Sequence, residues 1–177
     1  GGADREEVGR MTDALAHRGP DDSGIFMDGV AGLGHRRLSI IDLDTGKQPI
    51  ANEDGTVWIV FNGEIYNYQR LRADLMAKGH RFATETDTET IVHAYEEYGL
   101  DCLKHFRGMF AFAIWDCKKK RLFAARDRLG QKPLFYVERG GDLLFASEIK
   151  ALLAYDRSLA VPNLEALDQY LSLRIIA

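Results

Sequence analysis

Val57-Trp58-Ile59-Val60-Phe61-Asn62-Gly63-Glu64-Ile65-Tyr66-Asn67 is the stretch on which the fold turns. Its apolar, β-rich start, Val57 to Phe61, runs into Asn-Gly, the dipeptide that signals a hairpin most strongly because both residues accept positive φ. No second strand pattern follows. Tyr66 to Lys78 instead carries Leu71, Leu75 and Met76 at helical spacing and stops at Gly79. The reading is therefore strand, turn, helix. A second run, Phe110-Ala111-Phe112-Ala113-Ile114-Trp115, is apolar at every position, as expected of a strand buried on both faces.

Working outward, Asp4 to Ala16 places Val8, Met11, Ala14 and Leu15 on one helical face. Ser23 to Met27 and Val30 to Ile41 read as strands joined at Asp28-Gly29, and Asp42 to Asp54 as a loop. Thr86 and Glu89 have the spacing of a capping box ahead of Ile91, Val92, Ala94 and Tyr95. Leu100 to Phe106 reads as a short helix. Met109–Trp115, Arg121–Arg126, Leu134–Val137 and Leu143–Ala146 read as strands of an antiparallel meander, and Ile149–Ala154 and Leu164–Leu173 as helices. Helices and strands arrive in blocks, which predicts an α+β fold of two stacked antiparallel sheets with helices outside.

The 177 residues carry a net charge of −4, which argues against a nucleic-acid binder. No apolar run approaches the ~20 residues of a membrane span, and no signal-peptide pattern is present. Cys102 and Cys117 have no metal-type spacing and read as reduced thiols of a cytoplasmic protein. The five histidines, His17, His35, His80, His93 and His105, show no metal spacing either, so no metal site is expected. The opening Gly1-Gly2-Ala3-Asp4 and the uncapped apolar end, Leu171 to Ala177, suggest an internal slice of a longer protein.

Three polar clusters end apolar elements. Arg36 and Arg37 lie in a β-rich run, where alternation sends them to opposite faces; either could hold an anion, and both could be solvated. Asn62-Gly63-Glu64 offers an amide beside a glycine N–H, two donors suited to an oxyanion, though the dipeptide alone fits an ordinary turn. Thr86-Asp87-Thr88-Glu89 fits a plain helix N-terminus or a carboxylate for an ammonium. Together a guanidinium, a carboxylate and two donors describe an α-amino-acid site with acyl chemistry. Neither cysteine is placed to be its nucleophile.

These residues carry a resemblance. His17-Arg18-Gly19-Pro20-Asp21, Arg37-Leu38-Ser39-Ile40-Ile41-Asp42, Asn62 to Asn67, Thr86 to Glu89, Gly108 to Asp116, Arg126-Asp127-Arg128-Leu129-Gly130-Gln131-Lys132-Pro133-Leu134-Phe135-Tyr136 and Phe145 to Leu153 occur in order. The chain resembles the glutaminase domain of class II glutamine amidotransferases, on the branch of glutamine-hydrolysing asparagine synthetases. The resemblance implies an N-terminal-nucleophile hydrolase fold, a four-layer α/β/β/α sandwich. It implies hydrolysis of L-glutamine to glutamate and ammonia, with Arg37 on the α-carboxylate and Asp87 on the α-ammonium. Asn62 and Gly63 would form the oxyanion hole, Glu64 would touch substrate, and the backbone of Leu38, Ile40 and Ile41 would line the pocket. Arg36 would be structural or solvated.

The same resemblance implies residues 1–160 as the glutaminase domain and 161–177 as the start of a connection to a C-terminal synthetase domain. There ATP and Mg²⁺ would activate aspartate for amidation; no cofactor is expected in the glutaminase domain itself. A homodimer is left open. The family's nucleophile is an N-terminal Cys whose own α-amine is the base. No Cys precedes position 102 here, and the family spacing puts that residue about ten positions ahead of Gly1, on a first β-strand also missing. The chain as written is therefore expected to be inactive. Two other readings stay open: a glutamine-binding or scaffold module without a nucleophile, and an amidotransferase serving a different ammonia acceptor.

Overall fold

The computed structural model describes residues 2–38 and 46–175. Asp4 caps the first helix, α1 (Arg5–Asp13), by accepting from the amides of Glu6 and Glu7. A hairpin follows, β1 (Asp22–Asp28) with β2 (Ala31–Arg37), in the register Asp28↔Ala31. The second strand ends at Arg37 among the described residues; the expected continuation through Ile41 lies outside them.

The main sheet has the order β3-β4-β5-β6, all antiparallel: β3 (Ile50–Ala51), β4 (Val57–Ile65), β5 (Gly108–Asp116) and β6 (Arg121–Arg126). Helices α2 (Tyr68–Ala77) and α3 (Asp87–Tyr98), with the 3-10 turn Gly99–His105, cover one face. The other face packs against β1-β2 and a second hairpin, β7 (Phe135–Arg139) with β8 (Asp142–Ala146). Outside those lie α1 and α4 (Ile149–Tyr155). Helix α5 (Leu164–Leu173) closes the described chain and buries none of its side chains.

Strand alternation explains the layering. In β4, Ile59, Phe61 and Ile65 face α2 and α3, where Leu71, Leu75, Ile91 and Val92 meet them. Val60 faces the opposite way, toward Leu33 of β2, and Trp58 packs at that same inter-sheet core. In β5, Phe110, Phe112 and Ile114 take the helical side, and Ala113 and Trp115 the inter-sheet side. Both faces are dry, which is why these strands read as continuous apolar runs. The result is the four-layer α/β/β/α sandwich.

Three local expectations are corrected. The strand does not stop at Phe61: β4 continues through Asn62-Gly63 to Ile65, with Asn62 opposite Ala111 and Gly63 opposite Phe110. Nine paired residues on β5 outweigh the turn preference of one dipeptide. The meander is also broken: β6 does not pair with β7, and β7-β8 belongs to the other layer. The connecting segment 127–134 is organised by Asp127, whose carboxylate accepts from the amides of Phe110, Leu129, Gln131 and Lys132 at 3.0–3.2 Å. Finally, Met76, expected on the inner face of α2, is exposed.

The capping box at α3 is half formed. Thr86 accepts from the Glu89 amide at 3.2 Å. The Glu89 carboxylate does not return to Thr86 but accepts from the amides of Ala83 and Thr84 and the Thr84 hydroxyl, at 2.6–2.7 Å. This pins the segment ahead of α3 and so fixes where the helix starts. At the far side, Glu148 joins His17 and Arg18, both at 3.0 Å, so sequence blocks 130 residues apart close one layer.

Candidate active site

The site is built on the open edge of β4. Strand β3 pairs with β4 only at Ile59 and Trp58, so beyond Ile59 that edge has no strand beside it among the described residues. The amide and carbonyl of Phe110 both bond Asp127, on the β6 side. Gly63↔Phe110 is therefore a non-hydrogen-bonded pair, and the odd-numbered amides of β4 point away from β5. Phe61 N–H goes to the Gln48 side chain at 2.7 Å. Ile65 N–H goes to the Asp87 carboxylate at 2.9 Å. Between these two, Gly63 presents its N–H along the open edge.

Asn62 faces the opposite way from Phe61, toward the space between the sheets. Its Nδ2 is buried and has no hydrogen-bond partner among the described residues. A buried amide donor without an acceptor costs about 1–3 kcal/mol, so it is kept only where something else supplies that acceptor. Asn62 and Gly63 are thus adjacent residues with an amide each, set differently from the turn read in the sequence. They sit on an exposed strand edge rather than at a turn before a helix.

Gly63 is required by the backbone. Its φ is +153°, and a Cβ there would lie 2.1 Å from the Met109 carbonyl oxygen. No side chain fits between β4 and β5 at this point.

Asp87 opens α3 and is half-buried. Burial pushes its pKa up, and Glu64 adds to this; the amides of Ile65 and Thr88 and its own amide offset part of it. A carboxylate held by amides at the start of a helix is suited to an ammonium. Glu64 is exposed beside it on β4.

Arg37 ends β2 and is buried. Gly46 packs between its guanidinium and Thr86: a Cβ on Gly46 would meet Arg37 Nη2 at 2.7 Å and Thr86 Cγ2 at 3.3 Å. The Arg37 head therefore lies across Gly46 from Thr86, the residue that caps α3. Arg36 points the other way. It bonds the Thr12 carbonyl at 3.3 Å and pairs with Asp13, tying β2 to α1, which is the structural role expected of it. Leu38 follows the strand, exposed. Ile40 and Ile41 lie outside the described residues.

Two polar residues were not singled out from sequence. His35 shares a β2 face with Leu33 and Arg37, and its Nε2 contacts the Phe61 carbonyl at 3.2 Å. Burial pulls its pKa down to about 4, so the ring is neutral, and its Nδ1 is buried without a partner. Gln48 joins β4 to α3 through Phe61 N–H and, at 3.4 Å, the Thr88 hydroxyl. The available signal was period two: Leu33, His35 and Arg37 occupy alternate positions.

A cavity of about 540 Å³ between the sheets reaches His35, Phe61 and Asn62, and is otherwise lined from α1, β2, β5 and β8. It does not extend to Arg37, Gly63 or Asp87. Asn62 therefore stands between an internal space and the outer pocket edge.

Neither cysteine reaches this site. Cys102 is fully buried in the helical-side core, and burial pushes its thiol up to about 12. Cys117 lies beside Thr56, at the other end of β4, and burial raises its thiol too. Six residues of strand separate Thr56 from Asn62, about 20 Å.

Comparison with known proteins identifies the family. A family model described as "Glutamine amidotransferase domain" matches residues 2–177. "Asparagine synthetase [glutamine-hydrolyzing] 3" of Bacillus subtilis is 48% identical over 154 residues, covering 86% of this chain and 25% of the relative. "Asparagine synthetase [glutamine-hydrolyzing] 1" of the same organism is 46% identical over 175 residues, covering 98% and 28%. "Amidase chry2" of Gibberella zeae is 46% identical over 153 residues, covering 85% and 23%. The chain thus spans about a quarter of the length of these curated relatives. Among solved structures, a glutamine phosphoribosylpyrophosphate amidotransferase from B. subtilis superposes with a TM-score of 0.71 at 23% identity, over 85% of this chain and 40% of that one. With a family model matching residues 2–177 and these sequence relatives, the chain belongs to the class II glutamine amidotransferase domain family.

Proposed function

We propose that this domain binds L-glutamine at the β4 edge and, with an N-terminal cysteine supplied ahead of Gly1, hydrolyses it to glutamate and ammonia. The observation that carries this reading is the Asn62-Gly63 donor pair, one of whose amides is buried without an acceptor. In the proposed pose Arg37 holds the α-carboxylate and Asp87 the α-ammonium. Glu64 and the backbone of Leu38, Ile40 and Ile41 complete the pocket. Attack on the side-chain amide moves negative charge onto its oxygen, where Asn62 Nδ2 and Gly63 N–H stabilise it. Neutral His35 holds the Phe61 carbonyl next to this pair.

The 177 residues by themselves are proposed to be inactive, because Cys102 and Cys117 are the chain's cysteines and neither reaches Asn62. A second reading, a glutamine-binding module that performs no hydrolysis, rests on the same observation. Residues 1–160 are proposed as the glutaminase domain and 161–177 as the connection to a synthetase domain that uses ATP and Mg²⁺ to amidate aspartate. The exposed Leu164, Leu167, Tyr170 and Leu171 of α5 suit burial against such a domain. An acceptor other than aspartate is the alternative, given the "amidase" name of one relative. A cytoplasmic location is proposed from the two free cysteines. No helix among the described residues is long and apolar enough to cross a membrane.

The test is glutamate release by the full-length protein with its N-terminal Cys, beside Asn62→Ala and Arg37→Ala. Losing one oxyanion donor should lower kcat about 10²–10³-fold. Losing Arg37 should mainly weaken glutamine binding, by about 2–5 kcal/mol. Glutamine binding without any glutamate release by the full-length protein would favour the second reading. Unchanged kcat in Asn62→Ala would remove that residue from the oxyanion hole.

A further inference from the structure

We propose that His80, His93 and Glu96 form a site for one divalent transition-metal ion of the zinc class, about two turns along α3 from Asp87. The inference is independent of the glutaminase reading and uses none of its residues. In sequence the three have no metal-type spacing, thirteen and three residues apart. The fold brings them together: His80 follows the end of α2, while His93 and Glu96 share a face of α3.

The donor atoms already converge. One ligand atom from each residue lies within 4.8 Å of the others. Glu96 Oε2 is 2.8 Å from His93 Nδ1 and 3.7 Å from His80 Nδ1. Ligands about 2.0–2.1 Å from a tetrahedral zinc ion lie roughly 3.3 Å from one another, between those two separations. Small side-chain movements would therefore suffice. Imidazole and carboxylate donors in this number suit zinc and its neighbours rather than magnesium or calcium. His80 and Glu96 are partly exposed, which leaves a path in and an open position for water.

The second observation is that a carboxylate or amide lies near each residue's other polar atom, and that one of these atoms, His93 Nε2, is buried without a hydrogen bond. His93 Nε2 points at Glu89 Oε1, 3.6 Å away, and is itself buried without a hydrogen bond. Glu89 is in turn fixed by the Ala83 and Thr84 amides. His80 Nε2 is 3.4 Å from Glu97 Oε2. The free oxygen of Glu96 accepts from Asn52 Nδ2 at 2.6 Å. A carboxylate behind each imidazole, and an amide behind the carboxylate, is the outer arrangement that fixes tautomers in metal sites. It leaves His80 Nδ1 and His93 Nδ1 on the side of Glu96 Oε2, 3.7 and 2.8 Å from it.

Metal binding must compete with a proton. Glu89 and Glu96 on α3, with Glu53 across the β3–β4 loop, favour the charged His93 ring, against its burial. His80, 5.1 Å away ring to ring, and Glu97 are the other titratable groups beside it. On coordination the Nδ1 proton of His93 leaves to solvent, so affinity should rise with pH.

The test is competition of Zn²⁺ against a chromophoric chelator, with the purified protein and its His80→Asn and Glu96→Gln variants. Circular dichroism checks that the variants fold. The expected result is one saturable equivalent of Zn²⁺, with Kd raised at least tenfold in each variant. Co²⁺ titration followed by NMR gives an independent readout in the unaltered protein, where the His80 and His93 ring signals should shift together. Absence of a saturable equivalent, equal binding by both variants, or Co²⁺ shifts elsewhere would overturn the proposal. None of these readouts depends on glutamine hydrolysis.

Discussion

The Ile65 amide donates to the Asp87 carboxylate at 2.9 Å, joining the end of β4 to the start of α3. The strand that carries Asn62 and Gly63 and the helix that carries Asp87 are therefore tied directly to each other. A residue proposed to bind the substrate ammonium also sets the edge on which the oxyanion donors lie.

This coupling separates two variants. Asp87→Asn keeps an oxygen for the Ile65 amide and removes the charge. It should leave the thermal midpoint nearly unchanged and weaken glutamine binding at least tenfold, as judged by titration calorimetry. Asp87→Ala should lower both. Because burial raises the Asp87 pKa, binding should also weaken as pH falls through that raised value, where the carboxylate protonates. Equal affinity for Asp87→Asn and the unaltered protein would exclude Asp87 from ammonium binding.

Gly63→Ala tests the backbone at the site. The added Cβ would meet the Met109 carbonyl, which strand pairing holds in place, at a φ that L residues rarely adopt. Destabilisation of about 1–3 kcal/mol is expected from urea unfolding. A midpoint matching the unaltered protein would show that β4 and β5 separate here at little cost.

The Glu89–His93 pair should shape stability against pH, measured with a chelator present to exclude metals. For Glu89, burial raises the pKa, but His93, Thr84 and two amides outweigh it and bring it to about 2. Its contribution is full above the ordinary value of 4.5 and is lost as pH falls toward 2. For His93, burial lowers the pKa, but Glu89 and Glu96 outweigh it and raise it to about 9. Its contribution is full below the ordinary 6.5 and is lost as pH rises through 9. The thermal midpoint of the unaltered protein should thus fall at both ends, and His93→Gln should abolish the alkaline fall. An alkaline limb unchanged in that variant would assign it to other groups.

Asp127 offers a simpler acid limb. Burial raises its pKa, while four backbone amides outweigh this and hold it at about 2. Its stabilisation is present above the ordinary 3.8 and is lost as pH falls through 2. Asp127→Ala should lower the thermal midpoint at neutral pH and flatten its fall below pH 3.8, with the asparagine variant intermediate. An unchanged midpoint would mean that the 127–132 turn holds without its acceptor.

Much of this molecule is determined by short-range pattern. The apolar runs 57–61 and 110–115 require burial on both faces, and α+β layering follows. The motif blocks single out Arg37, Asn62, Gly63 and Asp87 only in combination, since each alone also fits an ordinary strand face, turn or helix end. Gly79 after α2 and Thr86 before α3 are likewise local, since caps act within one turn.

What local pattern could not decide was pairing across distance. Asn-Gly prefers a turn, yet nine residues of β4 zip against β5 and override it, because ladder pairing sums over many residues. The split of β7-β8 from β6 depends on Asp127 gathering four amides, which no periodicity reveals. The faces of His35, Gln48, His80 and Glu96 emerge only once sheets and helices are stacked. Two donors read in sequence as a turn become, in the fold, the free edge of a strand. Polar side chains brought together from separate elements are a product of packing, and packing is a property of the whole chain.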